Sequence, residues 1–248
     1  MTSSLLNSLL RALLRWGAAL VFCLPLRHRS HFWARACGML FPLLLLAQLL
    51  DPLAQSTTLW QQQLLLLVLY ISFFALLGGM IYLCTDINKK GALYCAVWSL
   101  LIAQCAYESW CFLELQFTRY GHPLNMASPW AVLVQLLSGA VFFAAGGFYY
   151  FAAVYILLAR QLPYKGEYNI GPRQLFSAFF IGILFMVQAA VLDNARAEHT
   201  PLSLTVTILI GQFYFITLLY FQSELFKKSA MEKEMSELNL LYERQRQQ

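Results

Sequence analysis

The sequence predicts an all-α membrane protein: a bundle of seven transmembrane helices, or of six with one interfacial helix, that continues into a coiled-coil helix. Three observations support this fold class. Hydrophobic residues make up 60% of the 248 positions and charged residues only 12%, whereas soluble globular domains are roughly 45–50% apolar. Lysine and arginine are concentrated in alternate short loops, the pattern that sets the orientation of membrane proteins. The carboxyl-terminal stretch changes from apolar to highly charged without any proline after Pro201.

Seven apolar segments follow one another, separated by short turns that are polar or contain proline and glycine. The second segment contains Pro42, which a membrane helix tolerates as a kink. The fifth is rich in glycine and aromatic residues, and the seventh runs into the charged stretch that begins at Lys227. The predicted spans are residues 5–26, 36–50, 64–84, 92–113, 130–159, 174–192 and 202–221.

The first segment supports two interpretations because Arg11 and Arg15 interrupt it. An arginine near the centre of a bilayer costs about 2.5–3.5 kcal/mol on an insertion scale. Segment 5–26 therefore either spans the membrane with its amino terminus outside, or lies in the cytoplasmic interface as an amphipathic helix. A cleaved signal peptide is disfavoured, because residues 24–27 offer no small-residue cleavage site.

The distribution of basic residues predicts the orientation. Thirteen of the 17 lysines and arginines fall in the loops 27–35, 85–90 and 160–173 or in the tail from Lys227, and only two fall in the loops on the other side. Loops rich in basic residues stay in the cytoplasm. We therefore expect a multi-pass protein of the plasma membrane with a cytoplasmic carboxyl terminus. Its outer loops are too short to form an external sensing domain.

Polar residues within the predicted spans are the best candidates for a functional site, because ionisable groups inside a bilayer are costly and mark function by default. Glu108 lies in the fourth span, with Gln104 one turn earlier on the same helix face and Tyr107 adjacent. If the amino terminus is outside, Arg15 lies at a comparable depth and is predicted to pair with Glu108. The alternative is that this pair is only structural. The candidate signal-sensing residues are Arg15, Gln104, Tyr107, Glu108, Glu114, Gln135 and Gln188.

Several classes of function are disfavoured by the sequence. It has no nucleotide-binding, zinc-protease or hydrolase motif, so no catalytic residue is assigned. The four histidines lie in loops, and no metal or cofactor is predicted for this chain. The six cysteines lie in or next to apolar segments and are expected to be buried, unreactive thiols. Because the basic residues flank membrane segments, no nucleic-acid partner is predicted.

The carboxyl-terminal stretch is predicted to be one helix over 202–248, because it contains a single glycine and no proline. Its second half has residues at alternating spacings of four and three, the seam of a short two-stranded coiled coil. We therefore expect a transmembrane sensor bundle at 1–222, a signalling and dimerisation helix at 223–248, and a homodimer. The seam consists of Met231, Met235, Leu238 and Tyr242, and Gln245 continues the spacing.

This arrangement resembles the input half of GHKL-type sensor histidine kinases, the class that contains the peptide-pheromone receptor kinases. The similarity rests on the leucine-rich first segment that ends before the basic residues 27–32 and on the charged end ELFKKSAMEKEMSELNLLYERQRQQ, residues 224–248. The resemblance implies that such a helix leads to a phospho-acceptor histidine and an ATP-binding domain. ATP, magnesium and a response regulator are implied only if that catalytic part follows. No histidine follows His199, so the chain is expected to lack it and no catalytic residue is carried over.

The predicted function is that of a membrane sensor that passes an external or intramembrane signal through its last helix to a cytoplasmic output. Its partners would be the lipid bilayer and a small peptide or lipophilic ligand. Two alternatives remain open: a membrane anchor or adaptor that recruits a cytoplasmic protein with its tail, and a small transporter component. A transporter of this size would be expected to contain internal repeats, and the sequence shows no convincing one.

Overall fold

A computed structural model describes residues 2–55, 59–120, 147–148, 150–159, 170–195 and 201–247. Within these ranges the regular elements are all helical, so the all-α class is confirmed for the described part of the chain. The elements are α1 (Thr2–Cys23), α2 (Phe32–Gly38), α3 (Leu40–Gln55), α4 (Leu59–Cys84), α5 (Lys89–Tyr120), a helical segment at 150–159 that ends in a π-helical turn (Tyr155–Ala159), α6 (Pro172–Ala195) and α7 (Pro201–Gln247).

Two stretches of the described chain are long and apolar enough to cross a membrane. They are Phe32–Leu49, which runs from α2 into α3, and Leu67–Cys84 in α4. The described residues of the other predicted spans are also helical, except residues 24–26, which form a turn after α1. Length and composition thus indicate membrane association for two helices, and the total of seven spans stays a prediction.

The beginnings of three helices follow from residues that are suited to these positions. α6 and α7 each begin at a proline, whose fixed φ and missing N–H match the first position of a helix. Asn88 caps α5, because its Oδ1 accepts a hydrogen bond of 2.7 Å from the Gly91 N–H. Such side-chain acceptors satisfy one of the backbone donors that the first turn leaves free. In α6 the Gln174 side chain similarly accepts a bond of 2.9 Å from the Gly171 N–H.

The break between α2 and α3 changes the predicted second span. α2 already begins at Phe32, after His31 with its positive φ of 58°, so the basic loop is shorter than predicted. The helix then breaks at Met39, and Pro42 lies in the first turn of α3. The break lies within one turn before Pro42, because proline has no N–H to donate to the Gly38 carbonyl oxygen and its ring crowds that carbonyl. The structure therefore agrees with the predicted kink at Pro42.

α1 lies inside the bundle, where it contacts α3, α4, α5 and the π-helical turn. Ala12, Ala18 and Ala19 on α1 are fully buried. Gly17 permits a close approach, because a Cβ at this position would lie 2.9 Å from the Phe151 ring. α1 is therefore packed among the other helices, and the choice between a membrane span and an interfacial helix for segment 5–26 stays a prediction.

The loop that follows α1 is joined to the loop between α4 and α5. The Arg29 N–H donates a hydrogen bond of 3.0 Å to the Cys84 carbonyl oxygen. The Arg29 guanidinium also lies 3.5 Å from the Asp86 carboxylate. Since Arg27 and Arg29 lie in the first loop, and Lys89 and Lys90 begin α5 directly after the second, we call this end of the bundle the basic end.

Four of the five described cysteine side chains are buried. Among the described side chains, Cys23, Cys84, Cys95 and Cys105 are buried free thiols, whereas Cys37 is exposed. The expectation of burial is therefore wrong for Cys37. It lies on α2, a short helix that buries only Phe32 and Ala36.

Candidate functional site

The register between α1 and α5 decides which polar side chains meet inside the bundle. Towards the basic end of the pair, Ser99 Oγ lies 3.5 Å from the Ala18 carbonyl oxygen. About two turns further from the basic end, Arg11 Nη2 donates a hydrogen bond of 2.8 Å to the Tyr107 hydroxyl. The two contacts show that the helices run antiparallel, and they bring the arginines of α1 against the aromatic residues of α5.

Arg11 combines two interactions with the same tyrosine. Besides the hydrogen bond, its guanidinium carbon lies 4.4 Å from the centroid of the Tyr107 ring. Cation–π contacts of this kind contribute about 0.5–1 kcal/mol when exposed and about 2 kcal/mol when desolvated. Arg11 is half-buried, so it lies between the interior of the bundle and its surface.

Arg15 lies one turn nearer the basic end and is only 5% exposed. Its guanidinium carbon lies 3.9 Å from the centroid of the Phe73 ring on α4, and the phenol groups of Tyr70 and Tyr107 are within electrostatic range. Within the described part of the chain, Arg15 Nη1 has no hydrogen-bond partner. Burying a charged donor without a partner costs several kcal/mol. The contact with Phe73 offsets only part of that cost.

The structure describes the side chains of only some of the other predicted sensing residues. Gln104 and Tyr107 are buried on α5, at 8% and 9% exposure, and Tyr107 contacts Arg11. The side chains of the remaining four lie outside the described residues, and the predicted pairing of Arg15 with Glu108 stays a prediction. These four are Glu108 and Glu114 in α5, Gln188 in α6, and Gln135, which falls outside the described ranges altogether.

Sequence reasoning missed the role of Arg11. The signal was available, since Arg11 and Arg15 are four residues apart and such residues share a helix face. Tyr70 and Phe73 on α4 were missed as well. They lie in a long apolar helix, and only the packing of α4 against α1 distinguishes them from its other aromatic residues.

A second polar cluster lies near the basic end, where α7 leaves the bundle. The Tyr94 hydroxyl of α5 donates a hydrogen bond of 3.3 Å to Gln222 Oε1. Gln222 Nε2 in turn donates a bond of 3.3 Å to Ser177 Oγ of α6. Gln222 is 4% exposed, so one buried amide of α7 is bonded to two neighbouring helices.

Aromatic packing holds the same part of α7 in the bundle. Phe215 is almost fully buried, and its ring centroid lies 6.1 Å from that of Trp98 on α5. It also lies 6.2 Å from the centroid of Tyr150. The order of these contacts, Trp98 with Phe215 and Tyr94 with Gln222, shows that α7 runs antiparallel to α5 and leaves at the basic end.

Beyond this cluster the helix extends away from the bundle. α7 contains 47 residues without a break, as expected from the sequence, and every described side chain from Glu234 to Gln247 is exposed. The predicted seam residues are exposed too, at 58%, 66%, 55% and 73% for Met231, Met235, Leu238 and Tyr242. An apolar stripe exposed along a helix suits contact with another helix.

No family model matches the sequence, and no match is found among curated proteins or solved structures. Among the residues that the structure describes, no group of three or more His, Cys, Asp or Glu side chains is arranged to hold a metal ion. The arguments for function therefore come from the two polar clusters and the exposed seam.

Proposed function

We propose that this chain is the membrane-embedded input module of a sensor, which passes an external or intramembrane signal through α7 to a cytoplasmic output. The observation that carries this proposal is that α5 contacts both polar clusters. Tyr107 of α5 binds Arg11, and Tyr94, about 20 Å away along the same helix, binds Gln222 of α7. A displacement of α5 at the arginines would therefore move the base of the exit helix.

We infer that the chain forms a multi-pass bundle of seven spans in a lipid bilayer. Large apolar side chains face outward, among them Phe41, Phe176 and Phe213 at 67%, 75% and 76% exposure, while Arg15 faces inward. Large exposed apolar surfaces are unusual in soluble proteins and suit contact with lipid. The basic end is proposed to face the cytoplasm, because loops rich in lysine and arginine are retained there. α7 leaves the bundle on that side.

The output is proposed to be a GHKL-type histidine kinase domain, as the resemblance of residues 224–248 implies, and to act in a homodimer. Two copies in one bilayer project α7 in the same direction, so their exposed seams would pair in parallel. In the heptad defined by the seam, Lys227 occupies position g and faces Glu232 at position e of the second copy. Opposite charges at these positions favour a parallel pair.

Cysteine cross-linking in native membranes tests the dimer. In a Cys37→Ser background, Leu238→Cys on the seam should cross-link between copies under mild oxidation. Lys233→Cys on the opposite face of the helix is the matched control and should remain monomeric. Equal cross-linking at both positions would contradict a defined seam. Labelling of a cysteine at Gln245 only in inverted vesicles would support the proposed orientation, and labelling in intact cells would oppose it.

A proline in the exit helix tests transmission. We would join the chain after Gln248 to a histidine kinase catalytic region and compare Ser229→Pro with Ser229→Ala. Proline within a helix costs about 3 kcal/mol and breaks it, so the first variant should lose control of autophosphorylation while the second retains it. Normal control by the proline variant would oppose transmission through a rigid α7.

The exposed end of α7 also supports one alternative, an anchor or adaptor that recruits a cytoplasmic protein. Every described side chain after Lys233 is available to such a protein. The two functions differ in the effect of the arginine cluster. Variants at Arg15 should change the output of a sensor, whereas they should leave recruitment by an adaptor unchanged. Assays of autophosphorylation and of recruitment in the same Arg15 variants therefore separate the two.

A further inference from the structure

The chemistry of the arginine cluster points to the class of ligand that the bundle binds. Arg15 is almost fully buried, yet its Nη1 has no hydrogen-bond partner in the described part of the chain. The described groups that act on its charge are Tyr70, Tyr107 and Arg11, none of which is a carboxylate. A buried guanidinium in this state is stabilised by any bound group that supplies a negatively charged acceptor.

The charge of the region favours an anion. Arg11 and Arg15 bring two positive charges to the same face of α1, one turn apart. Within one turn of Tyr107, α5 carries a single acidic residue, Glu108. Glu108 alone cannot neutralise two guanidinium groups, and the described groups that act on Arg15 include a second arginine and no carboxylate.

The apolar side chains around Arg15 determine which kind of anion would bind there. Phe73 covers one face of the Arg15 guanidinium, and Leu69 and Leu77, one turn to either side of Phe73, are buried as well. Apolar walls favour a singly charged group attached to an apolar body, because the desolvation cost rises steeply with charge. The planar fork of arginine matches the two oxygens of a carboxylate.

We propose that Arg15, with Arg11 one turn away, binds the carboxylate of an amphiphilic ligand between α1, α4 and α5. The half-buried Arg11 meets the carboxylate first, and Arg15 binds it with the donor that otherwise has no partner. A fatty acid and the free carboxyl terminus of an apolar peptide share this chemistry. The inference deepens the proposed sensor function, since it names the ligand class for the cluster that contacts α5.

Equilibrium dialysis of the full chain in nanodiscs of zwitterionic lipid tests this site, with binding to empty nanodiscs subtracted. The probes are dodecanoate, dodecanol, dodecyltrimethylammonium, and an apolar pentapeptide with either a free or an amidated carboxyl terminus. We expect at least one free carboxylate to bind and the uncharged and cationic probes not to bind. The fatty acid and peptide probes identify the source of the carboxylate, and binding of either supports the site.

Substitutions of Arg15 test whether this residue forms the binding site. Arg15→Gln should raise the dissociation constant of the bound carboxylate at least about tenfold, as the loss of hydrogen bonds to a charged group predicts. Arg27→Gln is the matched control, because it removes one positive charge at an exposed position. Arg15→Lys keeps the positive charge but lacks the planar guanidinium, so it should also weaken binding. This variant replaces Arg15→Gln in the test if Arg15→Gln does not fold.

Three results would overturn the proposal: no binding of either free carboxylate, equal binding of dodecanol, or unchanged affinity in a folded Arg15 variant. The dialysis needs no output domain, so its failure is distinct from a failure of the sensor function. If no carboxylate binds but α7 still transmits, only the proposed ligand class is refuted. If a carboxylate binds but α7 does not transmit, the binding site is supported and the sensor function is refuted.

Discussion

Gln222 is the residue whose replacement tests the junction between bundle and exit helix most sharply. In the variant Gln222→Leu, a side chain of similar size loses the hydrogen bonds to Tyr94 and Ser177, each of 3.3 Å. A net hydrogen bond contributes about 0.5–1.5 kcal/mol, and leucine gains some favourable apolar burial. We therefore expect the free energy of unfolding to fall by about 1–2 kcal/mol.

A double-mutant cycle isolates the bond itself. Tyr94→Phe and Gln222→Leu should be coupled by about 0.5–1.5 kcal/mol, since each removes the same contact. Reversible unfolding in mixed micelles, followed by circular dichroism, measures the four free energies. Tyr220→Phe is the control, because Tyr220 lies on the same helix and is 55% exposed. Additive effects of Tyr94→Phe and Gln222→Leu would refute the argument that this bond joins α7 to α5.

The remaining predictions concern the helix cap, the close packing of α1 and one surface ion pair. Asn88→Ala removes the cap of α5 and should lower the free energy of unfolding by about 1 kcal/mol in the same assay; Asn88→Ser should restore most of it. Gly17→Val places a branched side chain against the Phe151 ring and should cost about 1–3 kcal/mol, and no loss would show that this contact is loose. The hydrogen bond to Glu224 raises the pKa of Lys227 above its ordinary value of 10.5. Its stabilising effect should therefore be present below pH 10.5 and be lost as the pH rises through the raised pKa; an NMR titration of the Lys227 amine should show that Glu224→Gln lowers this pKa.

Features that depend on local sequence were predictable. The long α7 followed from the absence of proline after Pro201, and composition alone gave the helical class. Short-range signals also explain α5, which Asn88 caps. Most described residues of the predicted spans lie in helices, because each span combines apolar composition with flanking polar turns. The break at Met39 also follows from a local signal, because it lies within one turn before Pro42, which cannot donate a helix hydrogen bond.

The pairing of polar groups across helices was harder to predict. The sequence placed Arg15, Gln104 and Tyr107 at similar depth, and the structure places Arg15 against Phe73 and Arg11 against Tyr107. The sequence could not identify Arg11 as the partner of Tyr107, because that pairing depends on the rotation and register of α1 against α5. Periodicity defines a helix face, whereas the facing residue on another helix is set by packing of the whole bundle.

The central claim, that α7 transmits a state of the bundle as a rigid rod, is tested most directly by changing its helical phase. One to seven residues would be inserted after Ser229 in the chain joined to a histidine kinase catalytic region, and autophosphorylation would be measured in membranes. Each inserted residue rotates the distal helix by about 100°. We predict that activity rises and falls with a period of about 3.5 residues, as a two-stranded coiled-coil seam requires. Activity that is unaffected by the insertions, or that decreases steadily with their length, would contradict rigid transmission.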